Sequence, residues 1–226
     1  LGKAGARVIW SRRSGERLVA GESFLRAEGT AAALHMAWKV SLNLCDHLSG
    51  VATKTRAIVG AAHSANPACE VLTTRKSMPG VKDLLTKAVT CGGAFPHRLG
   101  ASETVLVFDH HITFMGGFEA FLDALPALRG RCVEKKLFVE AGPDEACRLA
   151  EAGVDGIQLD KLPVDDLAAI VPELRAIDPH LTLIAAGGIN LQNAAAYAAT
   201  GVDGLATTAP FTAKPIDMSV RMKREE

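Results

Sequence analysis

Two segments late in the chain, AAGGI at 185–189 and GLATT at 204–208, have the composition of loops that hold a phosphate. Glycines let backbone N–H groups approach an anion closely, and a helix starting just afterwards adds its positive end. Ala186, Gly187, Gly188, Thr207 and Thr208 are the candidates. Glycines needed only for tight turns would look the same, and the pattern by itself names no reaction. Between residues 75 and 98 the chain carries Arg75, Lys76, Lys82, Lys87, His97 and Arg98 against one acid, Asp83. Arg75 and Lys76 stand just before a predicted helix start, where an anion is favoured. Lys82 and Lys87 lie inside that helix and read as its solvated face. An arginine can hold a carboxylate bidentately, at about 1.5–3 kcal/mol per charge-assisted hydrogen bond. Taken singly, these residues would read as surface salt bridges. Glu140 and Asp160 end the apolar runs KLFVEA and GIQLD, where an unpaired carboxylate is costly. They suit Mg2+, ribose hydroxyls or a developing positive charge, or a structural pairing with Arg75 or Lys76. His110-His111 could suggest a metal, but neighbours on one strand point to opposite faces, so no metal site is read there.

The elements that must position these residues follow from pattern. ARVIWS, a turn at residues 13–16 and RLVAGESFLRA read as a hairpin. A long helix is expected from about Thr30, with Leu34, Trp38, Leu44/Cys45 and Leu48 at helical spacing and Lys39, Asn43 and Asp46 on its other face. From residue 69 onward, apolar strands alternate with helical runs, implying βαβ units, a parallel sheet and a barrel-like domain. The predicted strands are CEVLTT, ETVLVFD, KLFVEA, GIQLD, LTLIAAGGI and GLATT; Ser77 and Pro79 are expected to open the helix after the first. Gly-Val-Asp-Gly occurs at 153–156 and again at 201–204, each time between a helix and a strand, so the two stretches occupy equivalent places. In such barrels chemistry gathers where strands end. The ends are Thr74-Arg75-Lys76, Asp109, Glu140, Asp160, Ala186-Gly187-Gly188 and Thr207-Thr208.

Composition removes several classes of function. Lys plus Arg and Asp plus Glu are 25 each, so no global field invites nucleic acid or an anionic membrane. No apolar run is long enough to span a bilayer, and no signal peptide opens the chain. The five cysteines form no CxxC, which argues against a disulfide framework or zinc site and for a reducing, cytoplasmic setting. The chain opens on Leu1 almost directly into a strand pattern, as a fragment would, or a chain whose upstream residues are disordered.

LNLCDHLSGVATKT (42–55), TRKSMPGVKDLLTKAVTCGG (74–93), HRLGASETVLVFDHHI (97–112), VEAG (139–142), GIQLDK (156–161), AAGGIN (185–190) and TGVDG (200–204) resemble, in order and spacing, the quinolinate phosphoribosyltransferase family. WKVSLN, GGAFPHRLGASETVLVFDHH and ATTAPF are more similar to its ModD branch, associated with molybdenum-transport gene clusters. The resemblance implies an open α/β barrel (56–211) joined to a smaller α/β sandwich domain (1–55 with 212–226). It implies a homodimer or larger assembly, whose active site borrows a basic residue, here Lys39, from the partner's long helix. The family reaction joins a pyridine dicarboxylate to phosphoribosyl pyrophosphate with Mg2+, releasing pyrophosphate and carbon dioxide. By position, Arg75, His97 and Arg98 fall on its acid-binding cluster and Lys76 on its pyrophosphate-contacting lysine. Glu140 and Asp160 fall on the carboxylates near ribose and metal, and Gly187 and Gly188 on the phosphate loop. Three departures stand out. The partner's arginine is Lys39, a point charge in place of a planar fork. A family lysine is Phe108, and the serine and glycine of the phosphate loops are Ala186 and Thr208. The expectation is a phosphoribosyltransferase whose acidic acceptor is not quinolinate; a non-catalytic anion-binding protein and a quinolinate enzyme of NAD synthesis are the alternatives.

Overall fold

A computed structural model describes residues 1–100 and 103–224. Residues 101–102 of the 97–112 stretch, and 225–226 of the tail, lie outside the described residues. The chain is mixed α/β. A small antiparallel sheet pairs β1 (Arg7–Ser11) with β2 (Leu25–Glu28), and the 35-residue helix α1 (Ala31–Ala65) follows. Thr30 caps α1, its hydroxyl accepting from Ala33 N at 3.2 Å. The buried face of α1 is made largely of small residues, including Ala33, Ala37 and Gly50 as well as Leu42 and Val51. Leu44, expected on that face, is exposed, and so is Lys39. The helix runs unbroken past residue 55, and the C-terminal tail docks on it through Ile216 N to Asp46 O and Met218 N to the Asp46 carboxylate.

The hairpin is looser than expected. A turn does form at Arg13–Glu16, but a second turn at Val19–Glu22, with Gly21 at a φ of 87°, delays β2 to Leu25. Gly80 likewise, at a φ of 82°, cannot continue a right-handed helix. The helix expected from Ser77 therefore begins as α2 only at Lys82 (Lys82–Gly92).

The main sheet has seven parallel strands: β3 (Glu70–Thr73), β4 (Phe95–Pro96), β5 (Val105–Val107), β6 (Leu137–Ala141), β7 (Gly156–Asp160), β8 (Thr182–Ala186) and β9 (Gly204–Thr207). Their order across the sheet is β4-β3-β9-β8-β7-β6-β5, a curled half-barrel with β4 and β5 at its two ends. Between the strands lie α3 (Asp109–Phe114), α4 (Phe118–Arg131), α5 (Pro143–Glu151), α6 (Val164–Ile177) and α7 (Ala194–Ala199). The larger core, including Val71, Val139, Ile157, Leu183 and Leu205, packs under the helices. A smaller cluster of Leu106, Phe138, Ile184, Ala186 and Ala206, with Leu72 and Phe108 against it, fills the inner face. Side chains alternate along a strand, so two residues beyond this inner layer the same face carries Thr74, Glu140, Gln158 beside it, Asp160 and Thr208. An apolar floor thus supports a polar mouth.

The repeated Gly-Val-Asp-Gly holds the opposite end. Gly153 and Gly201, with φ of 78° and 90°, end the helices, and Val154 and Val202 are buried. Asp155 accepts from Leu137 N and Asp203 from Leu183 N, each at 2.7 Å. Arg129 and Arg175 complete the two carboxylates at 3.4 and 2.7 Å. The final glycines admit neighbours: a Cβ at Gly156 would stand 2.2 Å from the Phe138 ring, and one at Gly204 3.0 Å from Leu72. The repeat is architectural, one βα closure used twice.

Candidate active site

Every proposed ligand-handling residue of the barrel lies at or just past the C-terminal end of its strand. Glu140 on β6 pairs in register with Gln158 on β7, and the Gln158 amide donates to Glu140 Oε2 at 2.5 Å. Burial raises the Glu140 carboxyl above its ordinary range; Gln158 opposes this, Asp160 adds to it, and Lys76 and Lys161 oppose it. Two carboxylates on adjacent strands thus face each other's charge, with two ammonium groups nearby. Asp160 Oδ2 lies 3.3 Å from Lys161 Nζ.

The glycine loop closes over this pair. Gly187 and Gly188 have φ of 88° and 72°. A Cβ at Gly187 would stand 2.5 Å from Lys161 Cγ, 2.7 Å from Lys161 N and 3.0 Å from Asp160 Oδ1, whereas that at Gly188 would meet open space. Asn190 and Asn193 both donate to Gly188 O, at 3.0 and 3.2 Å, and fix the loop. The helices after the two loops are short: α7 has six residues, and a four-residue 3-10 turn at Ala209–Thr212 follows β9. Dipole assistance is correspondingly small, and the loop backbone itself must supply the donors. Ala186 brings no side-chain donor, and its carbonyl accepts from Lys161 N at 2.7 Å.

The two threonines differ. Thr207 is buried; its hydroxyl donates to Ile189 O at 2.6 Å and accepts from Ala209 N at 3.0 Å. Its single hydrogen is spent on the loop, leaving none for a phosphate. The Thr208 hydroxyl meets that of Thr74 at 2.7 Å, and Thr74 also accepts from Lys76 N at 3.3 Å. One of those two hydroxyl hydrogens serves the contact, and the other is free to be donated.

Across the mouth, at the β3–β4 end, a cavity of about 350 Å³ is lined by Thr74, Arg75, Ser77, Lys82, Arg98 and Phe211, among others. Burial and then the charge of Arg75 pull Arg98 below its ordinary value, so the two guanidinium groups feel one another. Burial and then Arg98 lower His97 to about 4. His97 is therefore neutral at neutral pH and offers a hydrogen bond, not a third charge. Lys82, read from sequence as part of a solvated helix face, lines this cavity, its ammonium donating to Leu99 O.

Phe108 sits at the opposite sheet end, with the Arg98 guanidinium 5.7 Å from its ring centroid. His110 and His111 correct the strand expectation. The strand stops at Val107, Asp109 opens α3, and helical spacing brings both imidazoles together, 4.1 Å between centroids. His110 stacks on Phe108 at 5.5 Å and 9°, and His111 Nδ1 accepts from Phe108 N at 2.9 Å. Burial, His110 and Arg98 all lower His111. No group of three His, Cys, Asp or Glu residues suited to a metal occurs among the described residues. Lys39 lies outside these clusters, its ammonium 5.5 Å from the Trp38 ring centroid. Gln158 and Lys161 belong to the site, and neither residue type nor spacing marks them; only their places in and just after β7 point to them.

Two family models match the chain. The quinolinate phosphoribosyl transferase N-terminal domain matches residues 1–49 and the C-terminal domain residues 51–221. ModD of Rhodobacter capsulatus is 43% identical over 192 residues, covering 84% of this chain and 73% of that protein. The nicotinate-nucleotide pyrophosphorylase [carboxylating] of Mycobacterium leprae is 37% identical over 211 residues, covering 92% and 72%. Among solved structures, the nicotinate-nucleotide pyrophosphorylase of Francisella tularensis superposes with a TM-score of 0.85 at 28% identity, over 95% of this chain and 75% of that one. The chain belongs to the quinolinate phosphoribosyl transferase family. No helix among the described residues is long and apolar enough to cross a membrane.

Proposed function

We propose that this chain transfers phosphoribosyl from phosphoribosyl pyrophosphate to an acidic acceptor other than quinolinate. The observation that carries the proposal is the juxtaposition of Glu140 and Asp160 with Lys161 and the Gly187-Gly188 loop at one barrel mouth. Leaving pyrophosphate needs positive charge, and the ribosyl centre it vacates needs negative charge; the mouth provides both. Glu140 and Asp160 would stabilise the cationic sugar, while Lys76 faces the departing phosphates. Mg2+ suits two carboxylates completed by substrate oxygens, so Glu140 and Asp160 would hold it, directly or through water, and it would supply charge neutralisation to the phosphates. Arg75 and Arg98, flanking the cavity, would hold the acceptor's carboxylate, with neutral His97 as a hydrogen-bonding partner and Lys39 entering from a second subunit of a homodimer. Phe108 offers apolar contact where a dicarboxylate would call for a cation. The association of the ModD branch with molybdenum-transport gene clusters gives a setting in which to seek that acceptor.

Calorimetry with phosphoribosyl pyrophosphate and Mg2+ tests the proposal. The intact chain should bind, and Lys76→Ala should weaken binding by about tenfold or more, the loss of one charge-assisted contact. Absence of binding to the intact chain would sink the transferase reading and favour a non-catalytic protein.

A further inference from the structure

Lys161, directly after Asp160 at the end of β7, is the one residue other than glycine with a positive φ, 56°, among the described residues. Glycine takes that conformation freely and asparagine or aspartate tolerably; lysine has no such preference. The backbone here is held from outside. Lys161 N donates to Ala186 O at 2.7 Å, Leu162 packs against the core, and Tyr197 donates to Leu162 O at 3.0 Å. None of these contacts uses the lysine side chain, and a glycine would satisfy all of them. The side chain is 81% exposed, with its ammonium 3.3 Å from Asp160 Oδ2. So exposed a pair adds little stability and does not account for a lysine at a glycine-like position. Strain of this kind, held in place by its surroundings, is characteristic of functional sites. Gly187 lacks a side chain where Lys161 Cγ and N crowd it, so the lysine and the glycine loop are fitted to each other. The left-handed backbone sets the lysine stem against the glycine loop and its ammonium against Asp160.

We propose that Lys161 is a phosphate-binding residue of the sugar-donor site. Its ammonium rests on Asp160 while the site is free and swings to a phosphate oxygen when the donor enters, leaving Asp160 to face the ribose and its metal. This assignment rests on the phosphoribosyl pyrophosphate reading above. The four-carbon stem and point charge of lysine suit such a swing.

The test titrates the intact chain, Lys161→Gly, Lys161→Asn and Lys161→Arg with phosphoribosyl pyrophosphate and Mg2+. Inorganic pyrophosphate and ribose 5-phosphate are titrated separately, to identify which phosphate the ammonium meets. Unfolding temperatures are recorded alongside. Lys161→Gly and Lys161→Asn should bind the donor about tenfold more weakly, one charge-assisted bond's worth, while Lys161→Arg keeps most of the affinity. Because glycine relieves the left-handed strain, Lys161→Gly should unfold at the same or a higher temperature. Unchanged affinity in Lys161→Gly, or weaker binding accompanied by a lower unfolding temperature, would overturn the assignment. Failure of the intact chain to bind phosphoribosyl pyrophosphate would instead remove the transferase reading, and this assignment with it.

Discussion

Gln158→Leu tests the carboxylate pair without touching a charge. Gln158 is 7% exposed, and its amide donates to Glu140 Oε2. A hydrogen bond to an ionised group contributes about 1.5–3 kcal/mol, and the half-buried position of Glu140 places this one near the lower figure. Leucine has nearly the same size, so packing loss is small. Because burial raises the Glu140 carboxyl in the folded chain, its ionised form is a cost to folding above that raised value, and the cost disappears as the group protonates on acidification. Without Gln158 the carboxyl rises further and that cost grows. The variant should be less stable by about 1.5 kcal/mol at pH 7.5, a urea midpoint lower by roughly 0.5–1 M. Towards pH 5 the deficit should shrink, because a protonated carboxyl loses less with its donor. Urea melts of both proteins at the two pH values decide it. An equal deficit at both would trace the loss to packing, and no deficit at pH 7.5 would show that Gln158 does not hold Glu140.

Two further outcomes follow from the same mouth. Gly187→Ala places a side chain at a φ of 88° and against the Lys161 backbone, so it should lose about 1–2 kcal/mol from the left-handed conformation alone and abolish donor binding, as read by melts and calorimetry. Quinolinate turnover should be poor or absent in the intact chain, and Phe108→Lys with Lys39→Arg should raise it by about tenfold or more; pyrophosphate release measures both, and efficient turnover by the intact chain would refute the specificity argument.

The parallel sheet was legible because its strands are apolar at successive positions and separated by helix-length segments. The strand ends Glu140, Asp160 and Gly187 could be placed from that pattern alone. What escaped depended on local backbone state. A strand through Asp109 puts His110 and His111 on opposite faces, whereas the strand ends at Val107 and the two imidazoles touch. The threonines of GLATT look alike in sequence, yet one spends its hydrogen on Ile189 and the other pairs with Thr74. Sequence alone groups His97 with the basic residues, and only its burial beside Arg98 shows that it carries no charge at neutral pH. Nothing in the sequence singles out Lys161, because a positive φ leaves no mark on composition.

The half-barrel distributes its duties unevenly between locked and unlocked edges. The carboxylates and the glycine loop belong to β6, β7 and β8, each held on both sides by a continuous ladder. His97 and Arg98 follow β4, and Phe108 follows β5, the two free ends of the sheet, where side chains rather than ladder bonds meet. A residue exchanged at that seam would alter the width and polarity of the proposed acceptor compartment while every strand register stays as it was. On the proposed function, acceptor choice would then diverge through a few substitutions that folding scarcely registers. The backbones that carry Glu140 and Asp160, assigned above to the sugar, have no such latitude, because shifting either means breaking a ladder.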